Sequence, residues 1–106
     1  MKRVISISQI VTPVRIESDS CEVWASAEAD YDEATAELKV ELATFVRRSK
    51  DNERLSANWL PPEEKVTEHV DFAEASPTAK EIFESWVHRV RRATETHIDP
   101  LPSPAG

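Results

Sequence analysis

The stretch that decides the fold runs from Ala34 to Leu42 and reads Ala-Thr-Ala-Glu-Leu-Lys-Val-Glu-Leu. Every even position holds an apolar side chain and every odd position a polar one. A period of two places all the apolar side chains on one face of a strand, whereas on a helix they would scatter around the circumference. The segment therefore predicts a half-buried strand, although Ala, Glu, Leu and Lys favour a helix by intrinsic propensity.

The preceding segment, Cys21 to Ala29, alternates in the same sense. One face holds Val23, Ala25, Ala27 and Ala29, and the other holds Glu22, Trp24, Ser26 and Glu28. We expect the two segments to form a β-hairpin. The intervening Asp30-Tyr31-Asp32-Glu33 contains turn-forming residues and no glycine, which favours a four-residue loop around a type I turn. That loop would place Ala29 opposite Ala34 on the buried face.

The same register determines the outer face of the hairpin. It places Trp24 opposite Lys39 and Glu22 opposite Glu41, with Glu28 on the same side. A large aromatic side chain on an exposed face is typical of protein interfaces. We therefore predict an interface that contains Trp24, Lys39, Glu22, Glu28 and Glu41.

Three further extended segments are predicted, and two regions are less regular. The segments are Arg3–Val11, which Thr12-Pro13 interrupts, Val14–Glu17 before a turn at Ser18-Asp19-Ser20, and Arg54–Leu60. The alternation slips at residues 43–46, which indicates a β-bulge. Residues 63–72 fit either a strand or the first turn of a helix.

One long helix is predicted from Pro77 to about Thr96, with Ser76 as its N-cap. Its apolar stripe consists of Ala79, Ile82, Phe83, Trp86, Val87 and Val90. The elements together predict an α+β fold in which an antiparallel sheet of about five strands packs against this C-terminal helix. We expect residues 1–97 to form a single domain and the proline-rich residues 98–106 to form a mobile tail.

Residues 79–93, Ala-Lys-Glu-Ile-Phe-Glu-Ser-Trp-Val-His-Arg-Val-Arg-Arg-Ala, loosely resemble the closing helix of pleckstrin-homology domains. In that family a tryptophan-containing amphipathic helix caps a strand-rich module, so the resemblance implies the same general architecture. It covers 15 of the 106 residues, and the opening strands lack the glycine and the aromatic–basic spacing of the family. We assign no family on this basis.

Composition excludes several classes of function. Twenty acidic and thirteen basic residues give a net charge of −7, which argues against a nucleic-acid-binding protein that neutralises phosphates over its surface. The sequence has no apolar run long enough for a membrane span and no signal-peptide pattern, so we expect a cytoplasmic protein. The single cysteine, Cys21, agrees with a reducing compartment.

Residues for catalysis or cofactor binding are not grouped in the sequence. Cys21, His69, His88 and His97 lack the spacing of a metal site, so no metal is expected. The only glycine, Gly106, provides neither a P-loop nor a dinucleotide-binding turn. We expect no cofactor and no enzymatic activity.

Two short basic clusters interrupt this acidic sequence. If they converge, Arg47 and Arg48 with Arg89 and Arg92 are candidate contacts for an anionic group or an acidic segment of a partner. Solvation and complementarity to the helix dipole explain the same residues without a ligand.

Three hypotheses for function follow. The first is a non-catalytic interaction module or assembly subunit, with a protein partner or a second copy of the chain bound at the Trp24 face. The second is a carrier for a small apolar ligand held between sheet and helix. The third is an acidic inhibitor or immunity protein that masks a basic site, because residues 17–41 carry nine acids against one lysine.

Overall fold

The predicted fold class is confirmed by a computed structural model that describes residues 1–97. The predicted tail, residues 98–106, lies outside the described residues. A five-stranded antiparallel sheet packs against one C-terminal helix. The elements are β1 (Lys2–Ile16), β2 (Asp19–Asp32), β3 (Glu37–Arg48), β4 (Arg54–Leu55), β5 (Glu64–His69) and α1 (Phe72–His97).

The strands are ordered β1-β2-β3, and the far edge of β3 is shared by β4 and β5. β5 pairs with residues 37–42 and β4 with residues 46–47, so that side of β3 is open at residues 43–45. Trp86 of α1 fills this gap, since its indole Nε1 donates a hydrogen bond to the Ala43 carbonyl oxygen at 3.0 Å. Because Trp86 is 1% exposed, the helix is anchored to the sheet by a buried contact.

The hairpin of β2 and β3 forms as predicted, but in another register. Its four-residue loop is Glu33–Ala36 and not Asp30–Glu33, so Ala29 lies opposite Val40 and not Ala34. The partner of each β2 residue is thus displaced by six positions, from 34 to 40 in this case. Because six is an even number, the residues that remain paired keep their predicted faces while their neighbours change. Ala34 and Ala36 instead move from the predicted strand into the loop.

The predicted opposition of Trp24 to Lys39 and of Glu22 to Glu41 is therefore wrong. The observed outer-face pairs are Glu22 with Arg47, Trp24 with Phe45, Glu28 with Glu41 and Asp30 with Lys39. A register error of an even number of residues exchanges neighbours without exchanging faces.

Burial of Tyr31 explains the longer strand. Its ring is 3% exposed, and its hydroxyl donates a hydrogen bond to the Val70 carbonyl oxygen at 2.7 Å. Ala36 then closes the loop with a φ of 55°, and its carbonyl accepts a hydrogen bond from the Val70 amide at 3.1 Å. A loop at residues 30–33 would instead place the tyrosine in the turn and forfeit its apolar burial.

β1 is one continuous strand, so the predicted interruption at Thr12-Pro13 is wrong. Its register with β2 shifts near Val4 and Val11. Proline is accommodated because β1 is an edge strand that needs ladder hydrogen bonds on one side only. Two residues, Glu17 and Ser18, connect β1 to β2, both with positive φ, as a type I′ turn requires.

The structure also decides three other predictions about the strands. β3 pairs with β2 without a register shift, so residues 43–46 contain no bulge. Only Arg54–Leu55 of the predicted strand Arg54–Leu60 is extended. Residues 64–69 adopt the strand alternative of the ambiguous region.

Helix α1 begins at Phe72, five residues before the predicted start at Pro77. Asp71, a residue type favoured at the N-cap, precedes the helix, and Glu74 lies in its first turn, where acidic residues are favourable. Ser76 and Pro77 therefore lie inside the helix, and the predicted N-cap is wrong.

The core lies between α1 and the inner face of the sheet. β2 contributes every odd residue from Cys21 to Tyr31, and α1 contributes two small residues and four larger apolar ones. The buried helix residues of the core cluster are Ala75, Ala79, Phe83, Trp86, Val87 and Val90. Small side chains on both layers allow close approach, and the large ones fill the remaining volume.

The register can be tested with two alanines that the sequence-based register would both bury. Ala27 is 1% exposed, so Ala27→Leu should overpack the core and lower the free energy of unfolding by about 1–3 kcal/mol. Ala34 is exposed in the loop, so Ala34→Leu should change it by less than about 0.5 kcal/mol. Urea unfolding of both variants measures the difference, and equal losses would contradict the observed register.

Candidate interaction surface

The face of the sheet opposite α1, here called the outer face, carries three neighbouring rows of side chains. Each row crosses β1, β2 and β3 in the pairing register. They are the aromatic row (Ile10, Trp24, Phe45), the small row (Ser8, Ser26, Ala43) and the acidic row (Ser6, Glu28, Glu41). Adjacent rows are two residues apart along each strand, roughly 7 Å.

The aromatic row is a preassembled stack. The rings of Trp24 and Phe45 are parallel, with centroids 5.6 Å apart and an interplanar angle of 8°. The Arg47 guanidinium lies 4.7 Å from the Trp24 centroid, and that of Arg54 lies 4.2 Å from the Phe45 centroid. Ile10 extends the row onto β1 and is 44% exposed.

Packing, rather than hydrogen bonding, orients Trp24. Its Nε1 is buried and has no hydrogen-bond acceptor among the described residues. Arg47 is held over the indole by Glu22, whose carboxylate accepts hydrogen bonds from Nε at 3.3 Å and Nη2 at 3.0 Å. The ring and the cation above it therefore have a defined arrangement before any partner arrives.

Arg54 differs from Arg47 in its electrostatic environment. No carboxylate among residues 1–97 forms an ion pair with it, and the residue is exposed. Its contact with Phe45 is a cation–π interaction, which leaves its N–H donors available. Arg54 is thus a positive charge placed over Phe45 that can donate hydrogen bonds to a partner's carboxylate.

A groove of about 550 Å³ lies beside the aromatic row. Its floor includes the small row, and one wall contains Phe45 and Arg54. The lining also includes the acidic row, residues 63–65 and four strand residues, Ile7, Ala27, Leu42 and Thr44. The outer face thus combines a ridge of stacked rings with a neighbouring depression.

The acidic row is only weakly neutralised. Glu28 and Glu41 are directly opposite on neighbouring strands, an arrangement that destabilises an isolated sheet. Arg3 lies 3.7 Å from Glu28, and Lys65 lies 3.8 Å from Glu41, but all four side chains are well exposed. Exposed ion pairs at these distances contribute little to the free energy of unfolding.

The structure brings together three of the five predicted interface residues around the groove. Trp24 forms the ridge, while Glu28 and Glu41 line the depression. Glu22 is occupied by Arg47 and acts as a support for the stack. Lys39 lies opposite Asp30, beyond the acidic row.

Three of the four predicted basic contacts, Arg47, Arg48 and Arg89, have separate ion-pair partners within the chain. Arg48 binds Asp19 at 3.2 Å, Asp51 at 3.2 Å and also Glu53, and so joins the β1–β2 turn to the β3–β4 turn. Hydrogen bonds from Arg48 and Lys50 lower the pKa of Asp19. The pKa of Asp51 is lowered mainly by a hydrogen bond from the Glu53 amide, with a further contribution from Arg48.

The two predicted basic contacts of α1, Arg89 and Arg92, lie beside different residues. Arg89 binds Glu64 at 2.6 Å and lies over the Trp86 ring, with 5.1 Å to the centroid. Arg92 is exposed beside Trp59, which stacks on His97. Among the ion pairs of residues 1–97, none joins the Arg47–Arg48 cluster to the Arg89–Arg92 cluster.

Sequence reasoning missed Phe45, Arg54 and Ile10. A signal for Phe45 was present in the slip of alternation at residues 43–46, which places an aromatic residue on the outer face. Its interpretation as a bulge hid this consequence. Arg54 reaches the row only because the turn at residues 49–53 returns the chain alongside β3.

Basic and acidic side chains of neighbouring strands form ion pairs within the chain. Basic β1 lies beside acidic β2, where Lys2 binds Glu33 at 3.2 Å and Arg3 binds Asp30 at 2.7 Å. Some carboxylates of the strongly acidic segment 17–41 are therefore paired with basic side chains of the same chain.

β1 forms a long edge next to this surface. Among the described strands it pairs only with β2, and residues 4–14 carry no charge. Ile7 is 41% exposed on this edge. Free edges without charged residues are open to pairing with other chains.

Residues 1–97 contain no group of three or more potential metal ligands, and no helix among them is both long and apolar enough to cross a membrane. No family model, curated protein or solved structure matches the chain.

The ion pairs of Arg48 with Asp19, Asp51 and Glu53, here called the Arg48 cluster, predict how stability depends on pH. The lowered pKa values of Asp19 and Asp51 mean that their ionised forms stabilise the fold above about pH 4, and that this contribution is lost as pH falls through the lowered values. Arg48→Gln should lower stability at neutral pH and reduce the further loss on acidification. Urea unfolding at neutral pH and near pH 3 measures both.

Arg92→Gln provides the matched control, because Arg92 is exposed on α1 and forms no ion pair among residues 1–97. It should leave the pH dependence unchanged. An Arg48→Gln variant with the wild-type acid dependence would show that the cluster contributes nothing to stability.

Proposed function

We propose that the protein is a non-catalytic interaction module, an assembly subunit that binds a protein partner through its outer face. The observation that carries this proposal is the aromatic row with its two stacked guanidinium groups, on the face away from α1. Tryptophan and arginine are the residue types that most often dominate binding energy at protein interfaces.

Preorganisation strengthens the argument. The indole of Trp24 contacts both Phe45 and Arg47, and Arg47 is in turn held by Glu22. Side chains already ordered in the free protein lose less conformational entropy on binding. A merely solvated sheet face has no need of such an arrangement.

The two alternative functions receive less support. A carrier needs a cavity between sheet and helix, whereas Phe83 and Trp86 fill that layer and the groove beside it, about 370 Å³, opens at the edge between β5 and α1. An acidic inhibitor relies on free carboxylates, and three of the nine acids of residues 17–41, Asp19, Glu22 and Asp30, are already paired within the chain. The single cysteine agrees with a reducing compartment, and the compartment that we propose is the cytoplasm.

Hydroxyl-radical footprinting tests the proposal by comparing the oxidation of the three tryptophans of the chain. Trp24 and Trp59 are both half-buried, on different parts of the molecule, whereas Trp86 is 1% exposed. We expect Trp24 to be oxidised less in the native cells than in dilute purified protein, because a bound partner covers it. Trp59 should react equally in both conditions, and Trp86 supplies the baseline.

A substitution gives an independent test of the same proposal. Native mass spectrometry of gently purified protein should show a complex that Trp24→Ser loses. Phe72→Ser is the control, since Phe72 is 50% exposed and contacts Tyr31 at a distance from the outer face. Equal oxidation of Trp24 in both settings, together with a complex that survives Trp24→Ser, would refute the proposed interface.

A further inference from the structure

We propose that the partner at the outer face is a second copy of the chain, bound around a two-fold axis that runs along the small row. This inference rests on the proposed function and adds the identity of the partner and the residues in contact. It is carried by the order of the three rows, which makes the outer face complementary to itself.

The geometry follows from the register. The aromatic and acidic rows lie on either side of the small row, each two residues away along the strands. A two-fold rotation about the small row keeps each strand opposite its own copy and exchanges the two flanking rows. Trp24 then faces Glu28 of the other copy, and Phe45 faces Glu41.

The charges match in this arrangement. The Arg47 guanidinium lies over Trp24 and would meet Glu28 of the other copy, while that of Arg54 lies over Phe45 and would meet Glu41. Because the interface is two-fold, each contact forms twice. Four arginines thereby meet four glutamates without any additional partner.

The shapes match as well. Ser8, Ser26 and Ala43 on the axis have short side chains, so the two sheets can approach closely at the centre. The aromatic row of each copy would enter the groove of about 550 Å³ beside the aromatic row of the other. Packing of a ridge into a groove on both sides is what an isologous interface requires.

Self-association also accounts for the least favourable feature of the outer face. Glu28 and Glu41 oppose each other across neighbouring strands and have only long, exposed ion pairs within the chain. Arginines from a second copy would neutralise this like-charge pair. Within one copy, Arg54 has no carboxylate partner among residues 1–97, and Glu41 of the other copy would supply one.

A charge exchange tests this contact in the purified protein. Sedimentation equilibrium over a concentration series should show a dimer of the 12.0 kDa chain. Arg54→Glu and Glu41→Arg should each weaken the dimer by about tenfold or more, because like charges would then meet across the axis. The double variant should regain most of the wild-type affinity, since the pair is restored with its signs reversed.

Two helix substitutions with the same changes of charge serve as controls. Lys80→Glu and Glu95→Arg lie at exposed positions of α1 and should leave the dimer unchanged. Thermal melting of all variants checks that each remains folded.

The outcomes separate this inference from the proposed function. A chain that stays monomeric at every concentration would overturn self-association, while protection of Trp24 in cells would still support binding of a different partner. A dimer that both single variants leave intact would overturn the proposed axis. Loss in the singles with recovery in the double variant supports it.

Discussion

The inward alternation of β2 is the constraint on which the rest of the structure depends. Its odd residues from Cys21 to Tyr31 are all at most 3% exposed, and three of them are alanines. Small side chains let α1 lie close to the central strand, and Trp86 then reaches the open edge of β3. Because odd residues point to the helix, even residues such as Trp24 and Glu28 must line up on the opposite face.

Periodicity predicted the faces of the sheet but not its register. A period of two identifies which residues are buried, and it is satisfied equally well by any even displacement of one strand along another. Tyr31 favours the observed register, because in the longer hairpin its ring is 3% exposed and its hydroxyl donates a hydrogen bond to the Val70 carbonyl oxygen. Val70 lies 39 residues away in sequence, so a local pattern held no information about it.

The candidate site could likewise be predicted only in part from the sequence. Trp24 was identifiable because a large aromatic residue stood at an outward position of a strongly alternating strand. Its true neighbours, Phe45 and Arg47, depend on the register, and Arg54 depends on how a turn returns beside β3. Composition likewise revealed an acidic chain without revealing that Lys2 and Arg3 of β1 pair with Glu33 and Asp30.

The most direct test of the account is an isotope-filtered nuclear Overhauser experiment on a mixture of labelled and unlabelled chains. The proposed packing predicts contacts between copies from the Trp24 ring to the side chain of Glu28 and from the Phe45 ring to that of Glu41. Intermolecular contacts confined to the edge of β1 or to α1 would contradict it, as would a dimer in which the Trp24 and Phe45 rings show none.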